Sequence, residues 1–411
     1  MSKQQSEPPQ VTLGDAQRGG HLYMQTNEPR NAIIHYLWSA SGMLTEVERI
    51  PTGGSGSGDF SPIYQVSRPN DFEGAGSVIL TPDRRFLLTT NGGDNTVSSF
   101  GVGEGGQLTL LDVKSTGNAV TGRCGTADSL AYASSGGTLF VLHAFGPDHI
   151  RLMSVDGDGT LTPRPEGYSV NTHTKTDRVT TSATLSPDER FLLVGTIFDE
   201  RPSANPDGTP KYVIANTSDP DGLVVFPVGG DGTLGAPSFH DGGGGVPFYY
   251  AFLHGRPDRF LIGTAVGDGL VMGSIDADGG IDIGPLVPID TSAGKPSELC
   301  WVAISPDDRM AFTTNFGYSN ISSYRIDGTE LAIARDTACP VVPGDGTFRA
   351  FNGRASSGPS DTWMTPDGAY LYQIYGNASK LVGYAVRPDG WLEEITSVRI
   401  PYNGPQGLAG F

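Results

Sequence analysis

The sequence predicts an all-β chain folded as a seven-bladed β-propeller of four-stranded blades, closed by a C-terminal strand pairing into the N-terminal blade. Three observations carry this reading. A Pro-Asp turn, preceded by Ser or Thr in four of five copies, recurs between short apolar runs. Its prolines stand at 82, 187, 257, 306 and 366, gaps of 105, 70, 49 and 60 residues. The first repeat lacks its first strand, and the chain ends on a strand-like segment with nothing after it to pair with.

The unit is clearest from Ser77 to Phe100, SVILTPDRRFLLTTNGGDNTVSSF. Proline sets φ at the turn's entry and aspartate supplies a local acceptor. The flanking runs Val78-Ile79-Leu80 and Phe86-Leu87-Leu88 are too short for helices and rich in strand formers. Copies follow at Ser186-Pro187-Asp188, Arg256-Pro257-Asp258, Ser305-Pro306-Asp307 and Thr365-Pro366-Asp367, with a decayed one at 129–142. Such a period, with several strands per repeat, belongs to propellers and related arrays. The blades are expected at 21–50, 75–113, 126–162, 180–238, 248–286, 298–336 and 360–400. Residues 1–19 read as a flexible leader and 20–411 as one propeller domain. Residues 404–411 are expected to supply the missing inner strand, which removes exposed sheet edges.

In each blade the first-to-second and third-to-fourth strand turns lie on one face of the disc and are short. The connections between second and third strands and between blades lie on the opposite face and are expected to be long, at 51–74, 114–125, 163–179, 199–221, 239–247, 287–297 and 337–359. Long ordered loops tend to carry function, so a site is expected over the channel mouth on that face. The polar residues that fall there are Asn27, Asn91, His143, His149, Asp199, Asn315 and Tyr375 at corners, and Asp128, Arg178, Tyr249, Glu298 and Asp361 at inner-strand starts. His173 and Lys175 lie on the loop entering the fourth blade. Glu298 and Asp361 stand out, because a carboxylate at a channel-lining position is costly unless paired; Arg178 and Arg123 are candidate partners.

Other motifs carry less. Gly101-Val102-Gly103-Glu104-Gly105-Gly106 has dinucleotide-loop spacing but opens no helix. Asp156-Gly157-Asp158-Gly159 begins like a calcium loop, yet Gly167 stands where the bidentate glutamate belongs. No metal site and no cofactor is expected. A net charge of −18 disfavours nucleic acid and anionic membranes as partners. The expected partner is a small-molecule substrate, on a monomer or weak homo-oligomer. The N-terminus has no signal-like apolar run, and the three cysteines are too scattered for a disulfide framework, so a cytoplasmic location is expected.

The repeat, with its Asn-x-Val-Ser-x-Phe continuation and the ending Gly-Pro-Gln-Gly-Leu-Ala, resembles the seven-bladed propeller lactonases. That family includes bacterial 6-phosphogluconolactonase and fungal carboxymuconate lactonising enzymes. The similarity spans residues 21–411. It implies an acidic residue before the sixth-blade turn, matched by Glu298, and an Asp entering the seventh, matched by Asp361 in Pro359-Ser360-Asp361 without the family's Arg. The His-x-His pair entering the fourth blade is absent, though His173 lies nearby. Pro247-Phe248-Tyr249 replaces a basic pair with aromatics. Arg and His are the groups that bind phosphate and polycarboxylate, so their loss points to a non-phosphorylated carboxylate or an aryl or alkyl lactone. The resemblance implies a cofactor-independent lactonase or lactone-forming cyclase; among the mouth residues, Glu298 or His173 is the expected base and Arg178 the expected anion stabiliser. Asn27, Asn91, Asp128, His143, Tyr249, Asn315 and Asp361 would bind substrate. The alternatives are an isomerase or lyase on a rebuilt mouth, and a non-catalytic binding propeller.

Overall fold

The computed structural model describes residues 19–61, 66–69, 75–118, 127–204, 206, 210–214, 220–291, 297–350 and 352–411. Seven sheets, each an antiparallel meander of four main strands, form the blades. From the channel outward, blade 1 runs Gln406–Gly410, Gly20–Gln25, Ala32–Trp38 and Leu44–Pro51. The inner strands of blades 2 to 7 are Val78–Leu80, Ala127–Ala133, Val179–Leu185, Pro247–Phe252, Leu299–Ile304 and Pro359–Met364. Their outer strands are Leu108–Ser115, Leu161–Tyr168, Ser238–His240, Ile281–Ile283, Glu330–Arg335 and Leu392–Arg399. The expected closure is present: Leu22 pairs with Gly410, Tyr23 with Ala409 and Met24 with Leu408. Of the expected leader, residues up to Arg18 lie outside the described residues.

The recurring turn has a common geometry. The hydroxyl of Thr81 donates to Asp83 at 2.6 Å, Ser186 to Asp188 at 2.7 Å, Ser305 to Asp307 at 2.7 Å and Thr365 to Asp367 at 2.6 Å. The same carboxylates accept a backbone N–H two residues on, from Arg85, Arg190, Arg309 and Ala369. The residue after each Asp is left-handed: Arg84, Glu189, Asp308 and Gly368 have φ between 56° and 70°. These turns also staple neighbouring blades. Glu189 accepts from Ser134 and Ser135 of blade 3, and Asp308 from His254 and Gly255 of blade 5. Arginines at these turns reach forward: Arg85 donates to the Gly157 carbonyl, Arg190 to Ala277 and Arg256 to Gly328. The short-turn face is therefore committed to holding the ring together.

The loop face differs from expectation in one respect. Most corners between second and third strands are short there, such as 92–95 in blade 2 and 316–319 in blade 6. The exception is blade 4. Its second strand runs on through Phe191–Ala204 and pairs with Pro210–Ile214, so much of the expected 199–221 loop is a two-stranded ribbon. The remaining length lies in connections between blades.

Eight apolar clusters form among the described residues, and seven of them are the seams between adjacent blades. The eighth gathers the loop-face ends of blades 2 to 6 and the connection before blade 7. It includes Phe145, Phe198, Phe248, Trp301, Phe316 and Phe348. Apart from Tyr249, partly exposed inner-strand residues lie mainly toward the opposite ends, such as Tyr132, Thr184, Phe252, Ala303 and Met364. Solvent thus reaches the inner strands mainly from the short-turn face, and apolar side chains fill most of the loop-face end.

Candidate functional site

Most of the expected corner residues hold loops in place. Asn91 Nδ2 donates to Thr96 Oγ1 at 2.9 Å and Ser98 Oγ at 2.8 Å, while its Oδ1 accepts from Asn31 and Thr52. Asn315 makes the equivalent bonds to Asn320 and Ser322. Asn27, at φ 50°, exchanges two bonds with Ser57 and so docks the connection after blade 1. An amide pairs with backbone and hydroxyl groups on both sides, which suits a corner that must satisfy buried polar atoms.

His143 is fully buried, with Nδ1 facing the His149 carbonyl and Nε2 at 2.9 Å from Thr116 Oγ1. A carbonyl only accepts, so Nδ1 carries the proton. His149 points its Nε2 at the Arg178 carbonyl at 2.9 Å. Burial holds His143 down at about 3 and His149 at about 4, so both are neutral near pH 7. Arg178 is fully buried and donates to the Val170 and Asp221 carbonyls and to Thr196 Oγ1. Lys175 pairs with Asp199 and Asp221 at 2.8 and 2.5 Å. These cations therefore fasten the blade 4 entry to the ribbon base. His173 is exposed on the same loop, Asp128 is fully buried at the start of blade 3, and Arg123 lies outside the described residues.

Asp361 and Tyr249 interact electrostatically at the channel end, and Glu298 stands just before the inner strand of blade 6. Asp361 is 4% exposed. Its carboxylate accepts from the backbone N–H groups of Thr362, Gly76 and Leu408, on blades 7, 2 and 1. Burial outweighs those bonds and pushes the carboxyl up to about 7. Tyr249, on blade 5, is held well above its ordinary phenol range, first by burial and then by the Asp361 charge. It packs against the loop-end apolar cluster. Among the described upstream inner-strand positions, it alone is partly exposed. Glu298 has φ 54°, a left-handed conformation that disfavours side chains with a β-carbon. Asp268 holds it there, accepting from Ser297 N at 2.6 Å, Ser297 Oγ at 3.0 Å and Glu298 N at 3.1 Å. Glu298 is 6% exposed, and its Oε1 lies beside Gly317, where an added β-carbon would stand 3.2 Å away.

Sequence reasoning missed the cover. Arg68, in the connection between blades 1 and 2, stacks over Phe348 at 4.3 Å and Phe316 at 5.7 Å from the ring centroids. Pro69 presses on Gly358, so closely that a β-carbon there would come within 2.4 Å. The connection leaving blade 1 thus spans to blades 6 and 7. Arg201, on the ribbon, caps Phe145 at 4.2 Å. The Gly/Ser-rich composition of residues 53–58 gives no hint of such contacts, because the pairing is with residues nearly 300 positions away.

No group of three or more His, Cys, Asp or Glu side chains among the described residues is placed to hold a metal ion. No helix among them is long and apolar enough to cross a membrane.

No family model and no curated protein matches the chain. Solved structures do. A Pseudomonas aeruginosa periplasmic gluconolactonase superposes with TM-score 0.67 at 16% identity, covering 95% of this chain and 99% of that one. A Bacteroides fragilis protein assigned as a 6-phosphogluconolactonase gives 0.66 at 16%, covering 97% and 100%. A Lactobacillus plantarum protein gives 0.66 at 13%, covering 96% and 99%. At this identity the likeness is one of fold. In fold, the chain is a divergent seven-bladed propeller of the kind those gluconolactonase-type structures adopt.

Proposed function

We propose that the protein is a cofactor-independent lactone hydrolase, or a cyclase running the reverse reaction, acting at the loop-face end of the channel. The observation that carries this reading is the near-neutral carboxyl of Asp361, within electrostatic reach of the protonated phenol of Tyr249. A general base works best with a pKa near the operating pH. Asp361, with Glu298 as the second candidate, would take a proton from water as it attacks the lactone carbonyl. The Tyr249 hydroxyl would donate to the developing oxyanion. The buried guanidinium of Arg178 is engaged by Val170, Thr196 and Asp221, so the oxyanion role falls to Tyr249 instead. The buried aromatic cluster of Phe248, Trp301 and Phe316, against which Tyr249 packs, supports a small, non-phosphorylated aryl or alkyl lactone or carboxylate. A small-molecule partner follows from this reading, as does action without metal or cofactor. The three cysteines are scattered along the sequence at 124, 300 and 339, and Cys300 and Cys339 are buried. That scatter supports a reducing compartment, and with it a cytoplasmic site of action.

The test is hydrolysis of a lactone panel followed by a pH indicator. Asp361→Asn should lower turnover by about 10²–10⁴-fold while circular dichroism stays unchanged. A panel with no turnover at all, or an Asp361→Asn protein of full activity, would remove the assignment. The filled loop-face end favours one second reading, a non-catalytic binding propeller. Saturable lactone binding without turnover would select it.

A further inference from the structure

Away from the channel, a groove of about 430 Å³ lies on the loop face where blade 7 meets blade 1. Ile400, Pro401 and the Tyr402 ring form its floor. Arg49 stands on the blade 1 wall and Arg399 on the blade 7 wall, with Ser379 and Glu28 at the edge. None of these residues takes part at the channel end.

The charge arrangement here runs against the rest of the molecule. The chain carries 27 Lys and Arg against 45 Asp and Glu. Yet Arg399 sits directly opposite Lys380 in the antiparallel ladder of blade 7. Like charges in that position repel and destabilise the strand pair. Both side chains are exposed, and among the described residues neither has an ion-pair or hydrogen-bond partner. The third cation, Arg49, is held by two bonds to Glu46, at 2.7 and 3.1 Å, which leave other donors of its guanidinium uncommitted.

The floor is fixed as well. The Tyr402 hydroxyl donates to Asp345 at 2.6 Å and accepts from Asn377 at 2.8 Å, which locks the ring while leaving it 44% exposed. Glu28 acts on Arg49 electrostatically, so negative charge closes that end of the groove. A ligand's anionic group is thereby directed to the Arg399 and Lys380 end.

We propose that this seam groove binds a small organic anion. Its carboxylate or phosphate would lie at Arg399 and Lys380, and its flat apolar body against Pro401 and Tyr402. Such a ligand neutralises the repelling pair and ties blade 7 to blade 1 beside the ring closure.

The experiment is thermal unfolding and calorimetric titration of the full-length protein with benzoate and with phenyl phosphate. Wild type should show a saturable rise in Tm with at least one probe, since a ligand bound only to the folded state stabilises it. A shift with benzoate alone assigns a carboxylate, and one with phenyl phosphate alone assigns a phosphate. In the Lys380→Gln/Arg399→Gln protein, affinity should fall by about tenfold or more, as expected for losing charge-assisted bonds. Its ligand-free Tm should be unchanged or higher, because the repulsion is gone. No shift with either probe, an undiminished shift in the double variant, or a lower ligand-free Tm in that variant would each overturn the proposal.

Discussion

The Asp361 carboxyl on blade 7 acts electrostatically on the Tyr249 phenol on blade 5, two blades away around the ring. The same carboxyl is bonded to backbone donors on blades 1 and 2. One side chain therefore ties the closing strand into the ring and holds a near-neutral proton at the channel end. Its structural and chemical roles need separate measurements.

Stability measured at several pH values separates the structural role. Unfolded, an Asp titrates near 3.8; folded, Asp361 does so at about 7. The folded state binds this proton more tightly, so the contribution is full below 3.8 and is lost as pH rises through 7. The loss amounts to about 4 kcal/mol at most. Asp361→Asn should remove that dependence. Urea midpoints at pH 5 and pH 8 should show the variant gaining on wild type at the higher pH.

The histidines work in the opposite direction. His21 is held down at about 4 by burial and by His35; His143 and His149 titrate at about 3 and about 4. Each binds its proton less tightly when folded than at the unfolded value of 6.5. Their contribution is full above that value and is lost as pH falls toward 4, by about 3 kcal/mol for His149 alone. Urea denaturation should show stability declining from pH 6.5 to 4. His149→Gln should flatten that decline.

Glu298 is expected to divide activity from stability. Glycine adopts φ 54° freely, so Glu298→Gly should leave folded stability unchanged or raise it by about 1 kcal/mol. Glu298→Gln keeps the backbone and removes the charge. If Glu298 serves as base, both variants lose turnover on any lactone the wild type hydrolyses. Full turnover in Glu298→Gln would leave Asp361 alone in that role.

Arg68→Ala removes the guanidinium over Phe348 and Phe316. A cation–π contact that is largely desolvated is worth about 1–2 kcal/mol. Thermal unfolding should shift down accordingly. Limited proteolysis should cut faster within residues 51–74.

Removing residues 404–411 takes away the inner strand of blade 1 and the Leu408 N–H bonded to Asp361. The strand Gly20–Gln25 then presents an unpaired edge, which invites pairing between molecules. The truncated protein should be recovered as aggregate, measured by size-exclusion chromatography.

The sequence by itself determined the ring. Hydroxyl-Pro-Asp turns close through bonds within a few residues, as Thr81 to Asp83 shows, so their spacing and the strand runs between them could be read directly. The unpaired Tyr23 segment and the strand-like ending Gln406–Gly410 similarly required one another. Tertiary structure alone decided what each polar residue does. Asn91, His143 and Arg178 looked like mouth residues, but their partners come from other strands and loops and hold those in place. Asp361 and Tyr249 lie 112 positions apart, and Arg68 and Phe348 lie 280 apart. Burial and charge at such distances depend on how the ring closes, and no local pattern of residues encodes them.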